Sequence, residues 1–234
     1  MNRKEKVAFA KRQLSEIWKC DPSAFDAEEN IFLKTEDTFF EIITFGKYAV
    51  MRGNREILKW CSEKFSAVPA RDIMDGDNLY ILETKLRSYG RKLGGEHVRY
   101  LHLYPEKSAI RPDAYTYKWY RGCEVKELYK YRQFANALNF ERDTIALAAY
   151  KDGNLVAMAG ADDYMNELWQ IGIDVLPEFR HQGLGLYLVK ELAAEIEKLW
   201  KVPFYTTWSP NIASTRVALG AGFYPVWMGY PSEK

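Results

Sequence analysis

LWQIGIDVLPEFRHQGLGLYLVKELAAEIEKL, residues 168–199, is the stretch on which the reading of this chain turns. LWQIGIDV (168–175) has the composition of a strand. Leu186, Val189, Leu192, Ala193, Ile196 and Leu199 recur at helical spacing, with Lys190, Glu191, Glu195 and Glu197 opposite. Between strand and helix lies Arg180-His-Gln-Gly183-Leu-Gly185. Glycines there let the backbone approach a ligand without side-chain interference. The first amides of the helix lack internal partners, and the helix dipole adds partial positive charge. A pyrophosphate suits such a place, and Arg180 can add a charge-assisted hydrogen bond. Taken alone, an R-x-x-G-x-G of this length also serves simply to start a helix.

Moving outward, TIALAAY (144–150) and LVAMAGA (155–161) are apolar runs joined at Asp152-Gly153, a hairpin signal. FYTTW (204–208) is a strand, and Asn211 or Ser209 caps a helix through Ala213, Val217 and Ala218 that Gly220 to Gly222 end. FYPVWM (223–228) is the last strand, placed near an edge by Pro225. On the other side, PEKSAIRP (105–112) reads as a linker and YTYKW (115–119) as a short strand. Val125, Leu128, Tyr129, Phe134 and Leu138 suggest one or two helices.

The first half, 1–105, opens on an amphipathic helix carrying Val7, Ala10, Leu14, Ile17 and Trp18. FFEIIT (39–44) and KYAVMR (47–52) flank Phe45-Gly46 as a hairpin. Asn54 caps a helix through Ile57, Leu58, Trp60, Cys61 and Phe65. A second stripe, Leu79, Leu82, Leu86, Tyr89 and Leu93, runs to Gly94-Gly95, and HVRYLHLY (97–104) is a strand. No catalytic constellation is visible in this half.

Over 234 residues, 33 basic against 32 acidic side chains leave a net charge of +1, which argues against a nucleic-acid-binding grip spread over the whole surface. Cys20, Cys61 and Cys123 are isolated and odd in number, which speaks for a reducing compartment and against a zinc or disulfide scaffold. His97, His102 and His181 do not cluster with them, so no metal site is expected. The N-terminus lacks the apolar run of a signal peptide and no segment is long enough to span a bilayer. The expected location is cytoplasmic.

With both signatures in place, residues 106–234 resemble the GNAT superfamily of acyl-CoA-dependent N-acyltransferases. Val175-Leu-Pro-Glu-Phe-Arg180-His-Gln-Gly183-Leu-Gly185 matches the family's pyrophosphate loop, and Asn211, Ser214 and Gly222-Phe223 match its second signature. The resemblance covers slightly over half the chain. It implies an α/β (α+β) fold: a mixed, mostly antiparallel twisted sheet flanked by helices. The division expected is an N-terminal α+β domain, 1–105, and a catalytic domain, 106–234. The hairpin–helix–helix–strand order of the first half is compatible with a degenerate copy of the same fold.

The resemblance also implies roles. The strand before the loop splays from its neighbour, and backbone groups of Ile173 and Val175 take the pantetheine arm and polarise the thioester. Arg180 and the backbone of His181, Gln182, Gly183, Leu184 and Gly185 hold the pyrophosphate of acetyl-CoA, the co-substrate. Asn211 and Ser214 contact the cofactor further along. The reaction implied is direct attack by a primary amine, from a small molecule or a peptide, on the thioester. An enzyme of this kind acts as a monomer or homodimer, with no membrane and no nucleic acid as partner.

Two departures stand out. The family's tyrosine after the asparagine is Ala218 here, leaving Ser214, one helical turn earlier, as a hydroxyl on the same face. The position of the family's glutamate base is Trp169, with Glu167 nearby as a group that can deprotonate an ammonium. Asp162 and Asp163 are candidates to hold a cationic acceptor, and Trp208 to line its pocket. These departures keep open a non-catalytic acyl-CoA sensor or scaffold. A further alternative is an aminoacyl-tRNA-dependent transferase, which requires a basic groove.

Overall fold

The computed structural model describes residues 1–165 and 167–234. Along the chain run helix α1 (Arg3–Trp18), strands β1 (Ile31–Lys34), β2 (Phe40–Thr44) and β3 (Ala49–Gly53), helices α2 (Arg55–Phe65), α3 (Ala70–Ile73) and α4 (Gly76–Arg87), and strands β4 (Lys92–Leu93), β5 (His97–His102) and β6 (Thr116–Arg121). After 3-10 turns over Gly122–Leu128 and Arg132–Phe134 come β7 (Asp143–Lys151), β8 (Asn154–Met165), β9 (Leu168–Val175), α5 (Leu184–Lys198), β10 (Val202–Thr207), α6 (Ile212–Gly220) and β11 (Phe223–Glu233).

The chain forms two compact units. One holds Met1–Gln13 and Arg99–Tyr224; the other holds Leu14–Val98 and Pro225–Lys234. A single cut near residue 105 therefore separates neither from the other along the sequence, because each takes a segment from both sides of it.

In the first unit the strand order is β5-β10-β9-β8-β7-β6. The pairs from β6 through β9 are antiparallel, and β9 with β10 is parallel. One face carries α5, whose Leu188, Val189, Leu192 and Ile196 are buried. The apolar stripe of α5 is what the sequence periodicity demands. The other face is covered by residues 122–139, where Val125, Leu128, Phe134 and Leu138 pack with Ala146, Ala148 and Met158.

These residues form 3-10 turns rather than the α-helices that their spacing suggests. Side chains take over backbone amides there: Asp174 accepts from the N–H groups of Asn136 (2.7 Å) and Ala137 (3.1 Å). Asp143 accepts from those of Asn139 (2.9 Å) and Phe140 (2.8 Å). An α-helical ladder does not form where its donors are spent elsewhere. The segment lies directly on the sheet at Gly160 and Gly172, which face each other across β8 and β9. A Cβ on Gly172 would stand 2.1 Å from the Asn136 carbonyl oxygen.

In the second unit, β3 pairs antiparallel with β2 and parallel with β1, and β11 pairs antiparallel with β2 and β4. The hairpin at Phe45-Gly46 is as expected; the short strand β1 is not signalled by any alternation. The core gathers Phe40, Ile42, Met51, Ile57, Phe65 and Leu82. Buried Asn30 ties it together, its amide donating to Phe65 O (2.6 Å) and Val68 O (2.7 Å) and its carbonyl accepting from Ala49 N (2.7 Å). Helix α4 stops at Arg87, short of the expected Leu93, because Arg91 N turns back onto Leu86 O (3.1 Å), a 6→1 closure.

Candidate functional site

The parallel register of β9 and β10 runs from Val202↔Leu168 to Tyr205↔Ile171 and ends there, while β9 continues to Val175 and β10 to Thr207. The sheet opens at this point. On its other edge β9 stays paired with β8 as far as Ala157↔Val175, and Leu176 N donates to Val156 O (3.0 Å). That bond fixes the alternation of the antiparallel ladder. Residues 172, 174 and 176 direct their backbone groups at β8, and Ile173 and Val175 direct theirs into the opening.

At the end of β9 the chain turns through the 3-10 segment Pro177–Phe179 into α5. Arg180 Nε donates to the outward Val175 carbonyl (3.1 Å). The Gln182 side chain fastens the loop, donating to Glu178 O (3.3 Å) and accepting from the Tyr115 hydroxyl. His181 (φ 62°) and Gly183 (φ 81°) are both left-handed. Gly183 is the N-cap of α5 and has no side chain to accept from the amides that follow. Arg180, His181, Gln182 and Gly183 are exposed. The result is an exposed helix start with uncommitted amides, contiguous with an open strand edge: the arrangement that binds a phosphate at one end and an extended chain along the other.

Helix α6 borders the same place. A Cβ on Gly185, in the first turn of α5, would touch Val217 of α6 (3.6 Å), Val175 (3.6 Å) and Ile173 (3.8 Å). Asn211 caps α6, its side chain accepting from Ser214 N (3.1 Å). The Ser214 hydroxyl meets the Tyr205 hydroxyl at 2.8 Å. Trp208, 54% exposed, follows β10 at the mouth of the opening. Thr206, the first β10 residue beyond the register, has a buried hydroxyl with no hydrogen-bond partner.

The structure thus brings together Ile173, Val175, Arg180, His181, Gln182, Gly183, Leu184, Gly185, Asn211, Ser214 and Trp208. It does not bring Glu167 to them. Glu167 sits in the β8–β9 turn, five residues before the opening, roughly 16 Å at strand rise. Its carboxylate accepts from Lys201 Nζ (2.7 Å). Asp162 and Asp163 lie within β8 rather than in a loop. Asp162 is only 7% exposed and accepts from Asn139 Nδ2 (3.0 Å), and Asp163 is exposed. The Tyr205–Ser214 and Asp174–Asn136 contacts are not legible in the sequence, since each joins residues distant in the chain. No helix among the described residues is long and apolar enough to cross a membrane.

Solved structures that match part of this chain include a GNAT-family protein from Novosphingobium aromaticivorans, 19% identical with a TM-score of 0.48, covering 61% of this chain and 66% of that one. A GNAT-family acetyltransferase from Colwellia psychrerythraea is 15% identical with a TM-score of 0.45, covering 61% and 57%. A GCN5-related N-acetyltransferase-like protein from Streptococcus suis is 13% identical with a TM-score of 0.47, covering 68% and 69%. This chain spans less than two thirds of the length of the first two. No curated protein matches. The acetyltransferase (GNAT) family model matches residues 112–223, which run from the proline beside Gly183 to the first residue of β11. Residues 112–223 form a domain of the GNAT acetyltransferase family.

Proposed function

We propose that this domain is an acyl-CoA-dependent N-acyltransferase site, with acetyl-CoA as donor and a primary amine of a small molecule or peptide as acceptor. The observation that carries the reading is the strand opening at Ile171–Val175 running without a break into the uncapped start of α5. The fit of the residues to the donor is good. The amides of Gln182 to Gly185, the positive end of α5 and Arg180 suit a pyrophosphate. The backbone groups of Ile173 and Val175 suit an amide-bearing arm laid along the strand. Asn211, exposed at the start of α6, reaches the same arm.

The donor supplies an activated acyl thioester. The chain's own contribution is to align the two reactants and to present backbone N–H groups where charge develops on the carbonyl oxygen. Trp208 forms part of the acceptor's rim.

A second reading, acyl-CoA binding without turnover, is favoured by one observation. Asp174, the carboxylate on the strand that borders the opening, is committed to Asn136 and Ala137. One experiment separates the two. Unfolding is followed with and without acetyl-CoA, CoA and a longer acyl-CoA, then thiol release with a panel of amines. Donor at about 100 times its dissociation constant adds roughly 2.7 kcal/mol, a shift of several degrees at this size. Gly183→Val is expected to diminish that shift. A shift with amine-dependent thiol release supports the transferase; a shift without release supports the binding protein. No shift with any donor rejects both.

A further inference from the structure

The segment between β5 and β6, residues 103–115, crosses from α6 to α5 and is fastened along its length by side chains. Lys107 Nζ donates to Leu219 O of α6 (2.8 Å), and Lys190 Nζ of α5 donates to Pro105 O. Lys151 Nζ of β7 donates to Ala114 O (3.3 Å), and the Tyr117 hydroxyl of β6 to Pro112 O (2.8 Å). Its far end reaches the loop before α5, where the Tyr115 hydroxyl donates to Gln182. A Cβ on Gly183 would stand 3.8 Å from Pro112 Cγ. Arg111 comes immediately before that proline. Its guanidinium carbon lies over the Tyr117 ring, 5.0 Å from the centroid, and that ring meets Tyr187 edge-on at 4.9 Å. Tyr187 closes the first turn of α5, its N–H donating to Gly183 O (3.0 Å).

The cations gathered here are not equivalent. Lys107, Lys151 and Lys190 are spent on the carbonyls just named, and Arg180 Nε on Val175 O (3.1 Å). Arg111 is exposed and, among the described residues, forms no ion pair, not even with Asp113 two positions on. The rings beneath it do not neutralise it either. Burial pushes the Tyr117 phenol up to about 12 and raises that of Tyr187, so both stay protonated. An aromatic face holds the guanidinium plane without consuming its N–H donors. We propose that Arg111 binds the phosphomonoester on the ribose of an acyl-CoA donor, so that the site selects the 3′-phosphorylated coenzyme. The proposal rests on the acyl-CoA reading above. The pyrophosphate and the 3′-phosphate hang from one ribose, so seating the first at the α5 start brings the second close to Gly183. The helix end and Arg180 are engaged with the first, and a further dianion there calls for a fresh cation. The planar fork of a guanidinium meets two phosphate oxygens at once. A stretch that reads in the sequence as a linker thus contributes to donor recognition.

The test needs no acceptor. Calorimetric titration of the full chain with acetyl-CoA and with acetyl-dephospho-CoA, which lacks only that phosphate, isolates its contribution. At low ionic strength the wild type is expected to bind acetyl-CoA roughly tenfold more tightly, the size of a hydrogen bond to a charged group. The difference should shrink as salt is added, because the contact is exposed. Arg111→Gln should remove the preference by weakening acetyl-CoA alone, with affinity for acetyl-dephospho-CoA unchanged. Arg111→Lys, which keeps the charge and loses the fork, should retain part of it. Arg216→Gln, which takes an exposed cation from α6, should leave the preference intact. Equal affinity of the wild type for the two donors overturns the role of Arg111 while leaving the donor site in place. So does a preference that survives Arg111→Gln or is lost in Arg216→Gln instead, and so does an Arg111→Gln that weakens both donors alike. Failure of the wild type to bind either compound overturns the acyl-CoA reading itself.

Discussion

A side chain at Gly183 has space but not the backbone for it. Among the described residues a Cβ would come within 4 Å of Pro112 Cγ alone, at 3.8 Å, whereas φ is 81°. The cost of Gly183→Val is thus left-handed strain of about 1–2 kcal/mol at the helix start rather than collision, and its effect on the donor comes from a displaced amide. Gly185 is the opposite case: it is helical, and its Cβ would make ordinary contacts at 3.6–3.8 Å. Gly185→Ala is expected to stabilise the protein by about 0.5 kcal/mol in chemical denaturation. Thr206 is expected to gain from losing its hydroxyl. Thr206→Val removes a buried group with no partner and should raise the stability of the ligand-free protein by about 1 kcal/mol. The placement of 180–183 between a strand and a helix start was legible because glycine spacing and apolar periodicity are local. The Tyr205–Ser214 contact was not, since a hydroxyl on a strand and one on a helix meet only after the sheet and α6 have packed. Glu167 misled for the same reason: its nearness to the strand in sequence says nothing about which end of the strand the site occupies.

Between elements, one ion cluster and one backbone contact carry measurable weight. Glu197, near the end of α5, accepts from Lys6 Nζ (2.5 Å) on α1 and from His102 Nδ1 (2.9 Å) on β5. Lys6 and His102 are buried, and Lys6 also donates to the His102 carbonyl (2.7 Å). Burial alone would raise the Glu197 carboxyl, but the bonds from His102 and Lys6 outweigh it and hold it down at about 2. A depressed carboxyl stabilises the fold above its unfolded value, and that contribution fades as pH falls from about 4.5 towards about 2. It is on the order of 3 kcal/mol, so acid unfolding of Glu197→Gln should show a flatter pH dependence over that interval than the wild type.

The second contact is at Gly172. Gly172→Ala sets a methyl against the Asn136 carbonyl and is expected to cost about 3 kcal/mol in denaturant unfolding. Periodicity revealed α1, α2, α5 and the hairpin strands, whose apolar faces are continuous. It read Val125, Leu128, Tyr129, Phe134 and Leu138 as one or two helices; the turns there are 3-10, and beyond Phe134 the amides of 136, 137, 139 and 140 are claimed by Asp174 and Asp143. Those carboxylates lie on strands that sequence patterning treats separately.

At the scale of the molecule, the two units are interleaved along the chain rather than placed end to end. The family match begins at residue 112, yet the unit containing it also takes Met1–Gln13 and Arg99–Arg111. A fragment of residues 106–234 lacks both β5, the strand beside β10, and Lys6. We expect it to show no cooperative thermal transition, whereas the full chain unfolds cooperatively; circular dichroism on heating checks this. Composition shifts could suggest a linker at 105–112 but could not show which strand fills the place beside β10, because strand order is decided by partners and not by neighbours in sequence.

The final stretch of β11 has a consequence for how the protein is made. Residues 228–231 pair with β2, and 232–233 with β4, yet both partners lie in the first hundred residues. During synthesis the earlier unit must wait, with one side of β2 unpaired, until residues 228–233 have been translated and have left the ribosome. An exposed strand edge of that kind invites association with other chains. The interval between translation of residue 98 and the emergence of residues 228–233 is therefore when a nascent chain of this protein is most exposed to aggregation and most in need of a chaperone.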